Sequence, residues 1–421
     1  MVTATAETVD VAIVGCGAAG LATAIFCGRH APELRIACLD GASRPGAKIL
    51  VSGGGRCNVT NRTVTDADFW GGSNRIVRSV LRAFSAAQAA QFFAELGVPL
   101  HEEEDGKLFP DTNRARSVLD ALLDEIKKVG VVIHGGRRVT DIRREGHLFV
   151  IDLAEGPRFE ARAVVLATGG RSLPKTGSNG AGYEIARRLG HGYVETTPAL
   201  APMLLDGDRH ASLSGVSHPA ALMLRSEAGT RLRLEGALLW THFGISGPVA
   251  LNLSRHWHSA QRANENVETL LSVCPGDTFE SLEQWLREQE SSRPRALVTT
   301  VLAGKVPAAI AQTWTSMLGI EEVTMAHLSR EDRRRVVRAL IELPLAVRDS
   351  RGYNYAEVTA GGIPLEEVDA ARMASRVCPG LYLVGEMLNV DGRLGGFNFQ
   401  WAWSSGWVAG RAIARSLSSG P

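Results

Sequence analysis

The sequence has almost no excess charge of either sign. Its 421 residues include 46 lysines and arginines and 45 aspartates and glutamates, for a formal net charge of +1. Proteins devoted to nucleic acid usually carry a basic excess, because phosphate contacts dominate that kind of binding. The neutral balance therefore argues against a nucleic-acid partner and favours a small-molecule substrate. Charged residues make up 22% and apolar residues 45%, as in folded globular proteins rather than disordered chains.

Cysteines and long apolar runs are also scarce. The six cysteines form no Cys-x-x-Cys pair, so the sequence indicates neither a zinc ribbon nor a redox dithiol, and we expect no metal site. A membrane span needs about 18 apolar residues in a row, and the sequence has no such run. The polar first ten residues lack the basic start of a secretory signal. We predict a cytoplasmic protein with no membrane partner, either a monomer or a homodimer.

Glycine, in contrast, is abundant, with 45 residues or about 11% against a typical ~7%. The cluster Gly15-Cys-Gly-Ala-Ala-Gly20 fits the pattern G-x-G-x-x-G. Residues 9–14 before it form a β-branched run that predicts a buried strand, residues 18–29 predict a helix, and residues 34–39 predict a second strand. Strand, glycine turn, helix and strand together predict a βαβ unit that binds a dinucleotide.

Each position of this fingerprint has a physical reason. Gly15 allows the tight turn, Gly17 lets the backbone meet a pyrophosphate, and Gly20 lets helix and strand pack closely. The N-terminus of the helix supplies free N–H groups, and Asp40 at the end of the second strand can accept hydrogen bonds from ribose hydroxyls. The residues assigned to this contact are Gly15, Gly17, Ala18, Ala19, Gly20 and Asp40.

Three features favour FAD over NAD as the dinucleotide. The predicted strand at 163–167 ends in Thr168-Gly-Gly170, which offers a second close approach of the backbone to the cofactor. Near the C-terminus, Gly395-Gly396-Phe397-Asn398 opens a helix whose positive end could stabilise charge on a flavin. The segment between these two parts is large enough to cover a long cofactor. Because the last predicted strand, at 381–384, needs the N-terminal sheet as a partner, we expect a discontinuous cofactor domain.

Four segments carry a family resemblance: 48–61 with Gly-Gly-Gly-Arg-Cys-Asn, 167–172 with Ala-Thr-Gly-Gly, 241–248 with Thr-His-Phe-Gly, and 380–400. In this combination the chain resembles the HI0933-like, or aminoacetone-oxidase-like, family of FAD-binding flavoproteins. The resemblance implies non-covalently bound FAD. It implies that a long glycine-rich loop at 41–61 lines the flavin with Lys48, Gly53, Gly54, Arg56, Cys57 and Asn58. The remaining predicted cofactor contacts are Val139, Ala167, Thr168, Gly169, Gly385, Glu386, Gly395, Gly396, Phe397 and Asn398.

The fold class follows from the pattern and the resemblance together. We predict an α/β protein with a Rossmann-like FAD-binding domain of the two-dinucleotide-binding type, an inserted antiparallel β domain and a helical subdomain. The FAD-binding domain covers 1–192 and 356–421, the β-rich insert 193–276 and 341–355, and the helical subdomain 277–340.

The remaining candidate residues give weaker indications of function. His242, on a predicted strand, could move a proton near the substrate or could be a structural histidine. Cys57 has no second cysteine nearby, which argues against a redox disulfide and favours a buried thiol. His256 and His258 would not share a helix face, so they do not indicate a metal site. The Arg333–Arg335 run is interpreted as a solvated helix face, with a nucleotide or RNA contact as the alternative.

The sequence leaves several functions open. The leading hypothesis is an FAD-dependent oxidoreductase, either an NAD(P)H-dependent reductase of an activated carbon–carbon double bond or an oxidase of an amine or amino ketone. No second G-x-G-x-x-G in strand–helix context is present, so NAD(P)H would bind transiently. A flavoprotein that modifies or binds RNA is the alternative from another class. An NAD-binding dehydrogenase is the weakest of the hypotheses.

Overall fold

A computed structural model describes residues 6–208, 210–227 and 229–418 of the chain. It contains two compact units, one formed by the residues up to Thr197 and from Glu357 onward, and one formed by Pro198–Ala356. The predicted limits of the insert, 192/193 and 355/356, lie within a few residues of these boundaries. The helices predicted as a separate subdomain belong to the same unit as the inserted strands. Within the described ranges, no helix is both long and apolar enough to cross a membrane.

Strands and helices are interspersed along both units. The strands are β1 (Glu7–Val14), β2 (Ile36–Leu39), β3 (Thr60–Asn61), β4 (Phe69–Gly71), β5 (Leu100–Glu102), β6 (Lys107–Pro110), β7 (Val132–His134), β8 (Val139–Glu145), β9 (Leu148–Leu153), β10 (Phe159–Leu166), β11 (Val194–Ala199), β12 (Met203–Leu205), β13 (Ser217–Ser226), β14 (Gly229–Thr241), β15 (Gly244–Ser246), β16 (Glu268–Ser272), β17 (Leu343–Leu345), β18 (Val347–Ser350), β19 (Val358–Gly362), β20 (Val368–Asp369), β21 (Ala374–Ser375), β22 (Leu381–Leu383) and β23 (Val390–Gly392). The helices are α1 (Ala18–His30), α2 (Ala47–Val51), α3 (Asn74–Ala83), α4 (Ala86–Glu95), α5 (Ala115–Lys128), α6 (Ala181–Arg188), α7 (Pro248–Arg262), α8 (Phe279–Ser292), α9 (Val298–Leu302), α10 (Ala308–Leu318), α11 (Arg330–Ile341) and α12 (Phe397–Ser418).

The first unit is built on parallel strands in the order β7-β2-β1-β10-β22. The apolar runs that predicted buried strands form its centre, and Val11, Ile13 and Val165 have essentially no exposed surface. Strand β22 pairs in parallel with β10, with Leu383 opposite Leu166. The prediction that the C-terminal strand completes the N-terminal sheet is therefore confirmed, as is the Rossmann-like fold class.

Strand β10 is longer than the strand predicted at 163–167. The structure has one continuous strand, Phe159–Leu166. Its first residues pair antiparallel with β9 and its whole length pairs parallel with β1. The polar residues Glu160 and Arg162 broke the apolar pattern because this part of the strand is only partly buried.

Helix α12 packs tightly against α1, and small residues make this packing possible. A Cβ atom at Gly406 would lie 2.9 Å from the Ala19 carbonyl oxygen, and one at Gly410 would lie 2.7 Å from that of Thr23. Real Cβ atoms almost never approach so closely, so glycine is required at both positions. The close contact fixes the N-terminal end of α12 relative to the glycine turn that opens α1.

The segment predicted as a long irregular loop at 41–61 is more ordered than expected. It contains the short helix α2, a 3₁₀ turn at Ser52–Gly55 and the short strand β3. The three glycines of the turn have positive φ angles of 54°, 67° and 85°. Their clustering obscured the neighbouring helix because glycine lowers helix propensity.

The second unit contains an antiparallel sheet in the order β17-β16-β13-β14-β15-β12-β18. Helix α7 was missed by the sequence interpretation, which assigned residues 193–276 to a β-rich insert. It follows Gly247 and begins with Pro248, a residue well suited to a first helical turn. Its apolar residues Val249, Leu253 and Trp257 face the core of this unit.

The arginine run of α11 is only partly the solvated helix face that was predicted. The interpretation of a solvated face holds for Arg334, which is exposed, but not for Arg333, which is only 9% exposed. The Arg333 guanidinium donates from Nε to Glu283 on α8 at 3.0 Å and from Nη1 to Glu290 at 3.3 Å. Arg333 therefore links two helices inside the second unit.

Candidate functional site

The glycine turn between β1 and α1 has the geometry that its spacing predicted. Gly15 has a φ of +100°, and a Cβ atom there would lie 2.5 Å from the Ala167 carbonyl oxygen at the end of β10. A Cβ atom at Gly20 would lie 1.9 Å from the Gly15 carbonyl oxygen. At Gly17, the N-cap of α1, a Cβ atom would meet nothing within 4 Å. The turn is closed toward the protein and open in front of the helix N-terminus, as an anion site requires.

Asp40 lies beside this turn. Its carboxylate accepts a hydrogen bond from the Cys16 N–H at 2.7 Å and another from the Ala42 N–H at 2.8 Å. These bonds hold the side chain at the end of β2. A carboxylate offers about four acceptor positions, so Asp40 keeps capacity for ribose hydroxyls. The ribose contact itself stays a prediction.

The end of β10 forms the other side of the turn. Ala167 directly follows the strand, and Gly169 has a φ of +68°, a backbone conformation that glycine adopts readily. The Thr168 hydroxyl is buried and has no hydrogen-bond partner among residues 6–208, 210–227 and 229–418. An unpaired buried hydroxyl is costly. Because protein atoms already cover this hydroxyl, it does not identify a cofactor contact, and the predicted contact of Thr168 stays a prediction.

The Gly53–Asn58 loop is held firmly by other parts of the first unit. Arg56 pairs with Glu103 at 2.6 Å, and its guanidinium lies 4.0 Å from the centre of the Phe109 ring. The Asn58 side-chain amide donates to the carbonyls of Thr60 and Leu108 and accepts from the Gly396 N–H. Arg56 and Asn58 therefore position the loop. Their predicted contact with the flavin stays a prediction.

Cys57 is a fully buried residue with a φ of +63°, which is rare for a residue other than glycine. Burial raises the pKa of its thiol to about 12, although a hydrogen bond with Ser52 acts in the opposite direction. A thiol with such a pKa is almost wholly protonated near neutral pH and is a poor nucleophile. The structure favours the buried, inert thiol over a redox role.

We expect native thiols to be unreactive toward Ellman's reagent at pH 8. All six cysteines are buried, and burial also raises the pKa of Cys27 to about 12. At pH 8 a thiol with a pKa of 12 has roughly one thiolate in ten thousand, against about one in four for an ordinary cysteine. The native protein should label slowly, and denatured protein should release six equivalents at once. Rapid labelling of any thiol in the native protein would contradict this picture.

Lys48 and Glu386 form the clearest polar cluster of the first unit. The Lys48 Nζ atom donates to Glu386 Oε2 at 2.6 Å, and Glu386 Oε1 accepts from the Thr359 N–H at 2.9 Å. The Thr359 hydroxyl in turn accepts from the N–H groups of Arg171 at 2.8 Å and Ser172 at 3.1 Å. The cluster joins α2, the end of β10, β19 and the residues after β22.

Sequence reasoning missed Thr359 and its neighbour Glu357. A signal was present, because Val358-Thr-Ala-Gly-Gly362 repeats the strand–glycine pattern of residues 164–170. Burial raises the pKa of the Glu357 carboxyl, and the charge of Lys48 lowers it by less. Glu357 is therefore a titratable group two residues before Thr359, whose N–H binds Glu386.

The C-terminal turn lies against β3. A Cβ atom at Gly396 would lie 2.4 Å from the Thr60 carbonyl oxygen, and Gly395 has a φ of +126°. The Asn398 side chain accepts from the Gly392 N–H at 2.8 Å and donates to the Gly392 carbonyl at 2.9 Å. Phe397, the first residue of α12, is fully buried. The turn is rigid, and the helix N-terminus that follows it is fixed in direction.

Three predicted residues have other surroundings. Gly385 donates its N–H to Ser405 at 3.1 Å and so joins the end of β22 to α12. Val139 begins β8 and belongs to the core of the first unit. His242 lies in the second unit, one residue after β14 rather than on a strand; it is exposed, and its ring contacts Phe243 edge-to-face. Its catalytic role stays a prediction.

A buried histidine has the connectivity of a hydrolase triad without the chemistry. His191 contacts Glu367 through Nδ1 at 2.7 Å and Ser375 through Nε2 at 2.8 Å. The Ser375 hydroxyl already accepts two backbone N–H groups, those of Val377 and Cys378. Because both lone pairs of its hydroxyl accept these hydrogen bonds, Ser375 has a structural role and is not a nucleophile.

No group of three or more metal-ligating side chains occurs in the described part of the chain.

The residues of the first unit fit an FAD molecule. The N-terminus of α1 and the open space in front of Gly17 suit a pyrophosphate, and Asp40 suits a ribose. The glycine turn at 53–55, where a Cβ atom at Gly54 would meet nothing within 4 Å among the described residues, leaves open space beside it. Asp40, Lys48 and Glu386 are the charged residues that would hold such a cofactor.

Comparison with known proteins agrees with this assignment. The sequence model of the family described as HI0933-like protein Rossmann domain matches residues 9–412. The chain is 32% identical to the ribosomal RNA dihydrouridine synthase of Escherichia coli strain K12, over 98% of this chain and 100% of that protein. It is 31% identical to the 3-dehydro-bile acid delta(4,6)-reductase of Clostridium scindens, over 96% of this chain and 98% of that protein.

Solved structures show the same fold at low sequence identity. The 3-ketosteroid delta1-dehydrogenase of Sterolibacterium denitrificans has a TM-score of 0.52 at 14% identity and covers 97% of this chain and 100% of its own. The Sdh1 protein of Mycobacterium smegmatis has a TM-score of 0.51 at 16% identity and covers 99% of this chain and 70% of its own. These likenesses support the fold and carry no information on the substrate.

Proposed function

We propose, on the premise that the chain belongs to the HI0933-like family and is an FAD-dependent oxidoreductase, that it uses NAD(P)H to saturate an activated carbon–carbon double bond. One observation carries the proposal. Two relatives matched over nearly their full length are named for hydrogen addition to such a bond, one as a dihydrouridine synthase and one as a delta(4,6)-reductase. Both bonds are conjugated to a carbonyl group, which makes one carbon electrophilic.

The residues of this chain support a direct transfer between cofactor and substrate. Bound FAD would supply the hydride chemistry, and the protein would position the substrate and provide the proton. The six cysteines are buried, so a thiol relay like that of a disulfide reductase is not favoured. The Lys48–Glu386 cluster, with Glu357 beside it, provides titratable side chains next to the proposed cofactor residues.

A uridine in RNA is a second candidate substrate. The name of the Escherichia coli relative favours it, and uridine carries an activated double bond of the required kind. Helix α3 offers a basic face on which Arg75, Arg78 and Arg82 are exposed at helical spacing. Arg78 is already paired with Asp66 at 2.7 Å, which reduces the free positive charge of this face. We therefore place the small-molecule enone first.

Anaerobic half-reactions test the proposal. We expect NADH or NADPH to bleach the visible absorption of the flavin in the purified holoprotein. A 3-keto-4-ene steroid or 2-cyclohexen-1-one should then restore it, with the saturated ketone as the product. Restoration by a uridine-containing RNA oligonucleotide alone would select the RNA candidate. A flavin that neither nucleotide reduces, but that a primary amine or amino ketone does reduce, would overturn the proposal in favour of an oxidase.

A further inference from the structure

Glu357 occupies an unusual position in the first unit. It directly precedes β19, and it is exposed while its neighbours Ala356 and Val358 are buried. Although its side chain is accessible, enough protein surrounds the carboxyl that loss of solvation raises its pKa. Glu357 also lies two residues before Thr359, whose N–H donates to Glu386 at 2.9 Å, so it is at the same end of β19 as the Lys48–Glu386 pair. An accessible carboxyl at this place can exchange protons with solvent and still meet a bound substrate.

Glu357 forms no ion pair of its own among the described residues. Lys48 on α2 is the cation whose charge reaches Glu357, but the Lys48 Nζ atom is bonded to Glu386 at 2.6 Å. Glu386 also accepts from the Thr359 N–H at 2.9 Å, so its two oxygens are matched. One ammonium group thus serves two carboxyl groups. When Glu357 carries a proton, the positive charge of Lys48 balances the negative charge of Glu386. When Glu357 is ionised, one negative charge of this group is left unbalanced.

Saturation of an activated double bond needs a hydride at one carbon and a proton at the other. Bound FAD would supply the hydride equivalent taken from NAD(P)H, so the protein must provide an acid. Cys57 cannot serve because its thiol is fully buried, and Lys48 is engaged by Glu386. Glu357 is two residues before Thr359 of this cluster, is accessible, and can take a new proton from solvent.

We infer that Glu357 is the proton donor that completes reduction of the double bond. This inference rests on the proposed function. In the step, the O–H bond of Glu357 breaks and a C–H bond forms at the carbon next to the carbonyl group, while the hydride adds to the other carbon. The carboxylate that remains is protonated again from water. Electrons balance, because NAD(P)H is oxidised and the double bond is reduced by the same pair.

The test separates the two half-reactions in the holoenzyme. For Glu357→Gln we expect an unchanged dissociation constant for FAD and flavin reduction by NAD(P)H within about threefold of wild type. Reoxidation by 2-cyclohexen-1-one or a 3-keto-4-ene steroid should be about a hundredfold slower or more, as expected for loss of a general acid. Glu357→Asp should keep part of the rate. The control is Glu322→Gln, at an exposed glutamate of the second unit, which should match wild type.

Two pH measurements distinguish a proton donor from a merely structural residue. In wild type the reoxidation rate should fall as pH rises through the pKa of Glu357, because only the protonated carboxyl can donate, and Glu357→Gln should lose this limb. The flavin spectrum, recorded without substrate, should shift over the same pH range in wild type and not in Glu357→Gln.

Each alternative result has a definite meaning. Equal reoxidation rates for wild type and Glu357→Gln at all pH values would overturn the inference while leaving the proposed function intact. A wild-type flavin that NAD(P)H reduces but that no double-bond acceptor reoxidises would overturn the proposed function, and the inference with it. Loss of FAD from Glu357→Gln, with retention in Glu357→Asp, would assign Glu357 to cofactor binding instead.

Discussion

Gly17→Ala is expected to weaken FAD binding by roughly ten- to a hundredfold while leaving the apoprotein folded. Apart from its two chain neighbours, a new Cβ atom would meet no atom of the described residues within 4 Å, and the φ of −82° at this position suits alanine. The methyl group would instead occupy the space in front of the α1 N-terminus, where the pyrophosphate is proposed to lie. Overpacking of this kind costs about 1–3 kcal/mol, and each 1.4 kcal/mol is a factor of ten in affinity.

FAD titration followed by flavin fluorescence measures the loss, and urea unfolding of the apoprotein measures stability. Because alanine is a poorer N-cap than glycine, the unfolding free energy should fall by no more than about 1 kcal/mol. Gly276→Ala is the matched control, since a Cβ atom there also meets nothing within 4 Å. An unchanged FAD affinity in Gly17→Ala would place the pyrophosphate elsewhere.

Gly20→Ala should instead fail to fold, because its Cβ atom would lie 1.9 Å from the Gly15 carbonyl oxygen.

These opposite expectations for Gly17 and Gly20 show what a sequence can and cannot provide. The spacing of the glycines predicted the turn, because a backbone that approaches a phosphate or another backbone needs glycine whatever surrounds it. Which glycine faces the open space and which faces the protein depends on coordinates. The parallel sheet was likewise predictable, because its buried strands are continuous apolar runs.

Residues defined by distant partners could not be predicted in the same way. Thr359 and Lys48 are more than three hundred positions apart, and both bond to Glu386. A pattern of residue types in one segment carries no information on such a pairing, because side-chain contacts are set by how the chain folds back on itself. Helix α7 was missed for a local reason. It lies between two strands in the sequence, and its many polar residues make its narrow apolar face hard to recognise.

Arg333 is the strongest case of this kind, and Arg333→Met is expected to lower the unfolding free energy by about 2 kcal/mol. In sequence the residue belongs to a basic run, but its side chain is only 11% exposed and bonds to Glu283, which is 12% exposed. Methionine keeps much of the packing volume but leaves Glu283 without its main partner. Removal of one partner from a buried pair costs about 3–5 kcal/mol, and the loss should be smaller here because Glu290 is 40% exposed. Arg334→Met, at an exposed position of the same helix, is the control and should change stability by less than about 0.5 kcal/mol.

The loss caused by Arg333→Met should depend on pH. Burial raises the pKa of Glu283, but hydrogen bonds from Arg333 and Arg287 outweigh this effect and leave the pKa below its ordinary value. A lowered pKa in the folded state stabilises the protein above the unfolded-state value of about 4.3, and this stabilisation is lost as pH falls through the folded pKa. Without Arg333 the pKa of Glu283 should rise. The unfolding free energy of the variant should therefore fall less than that of wild type as the pH is lowered. Urea unfolding should show the full difference at pH 7 and a smaller one near pH 4, whereas a difference that is constant over this range would mean that Arg333 acts through packing and not through its ion pair.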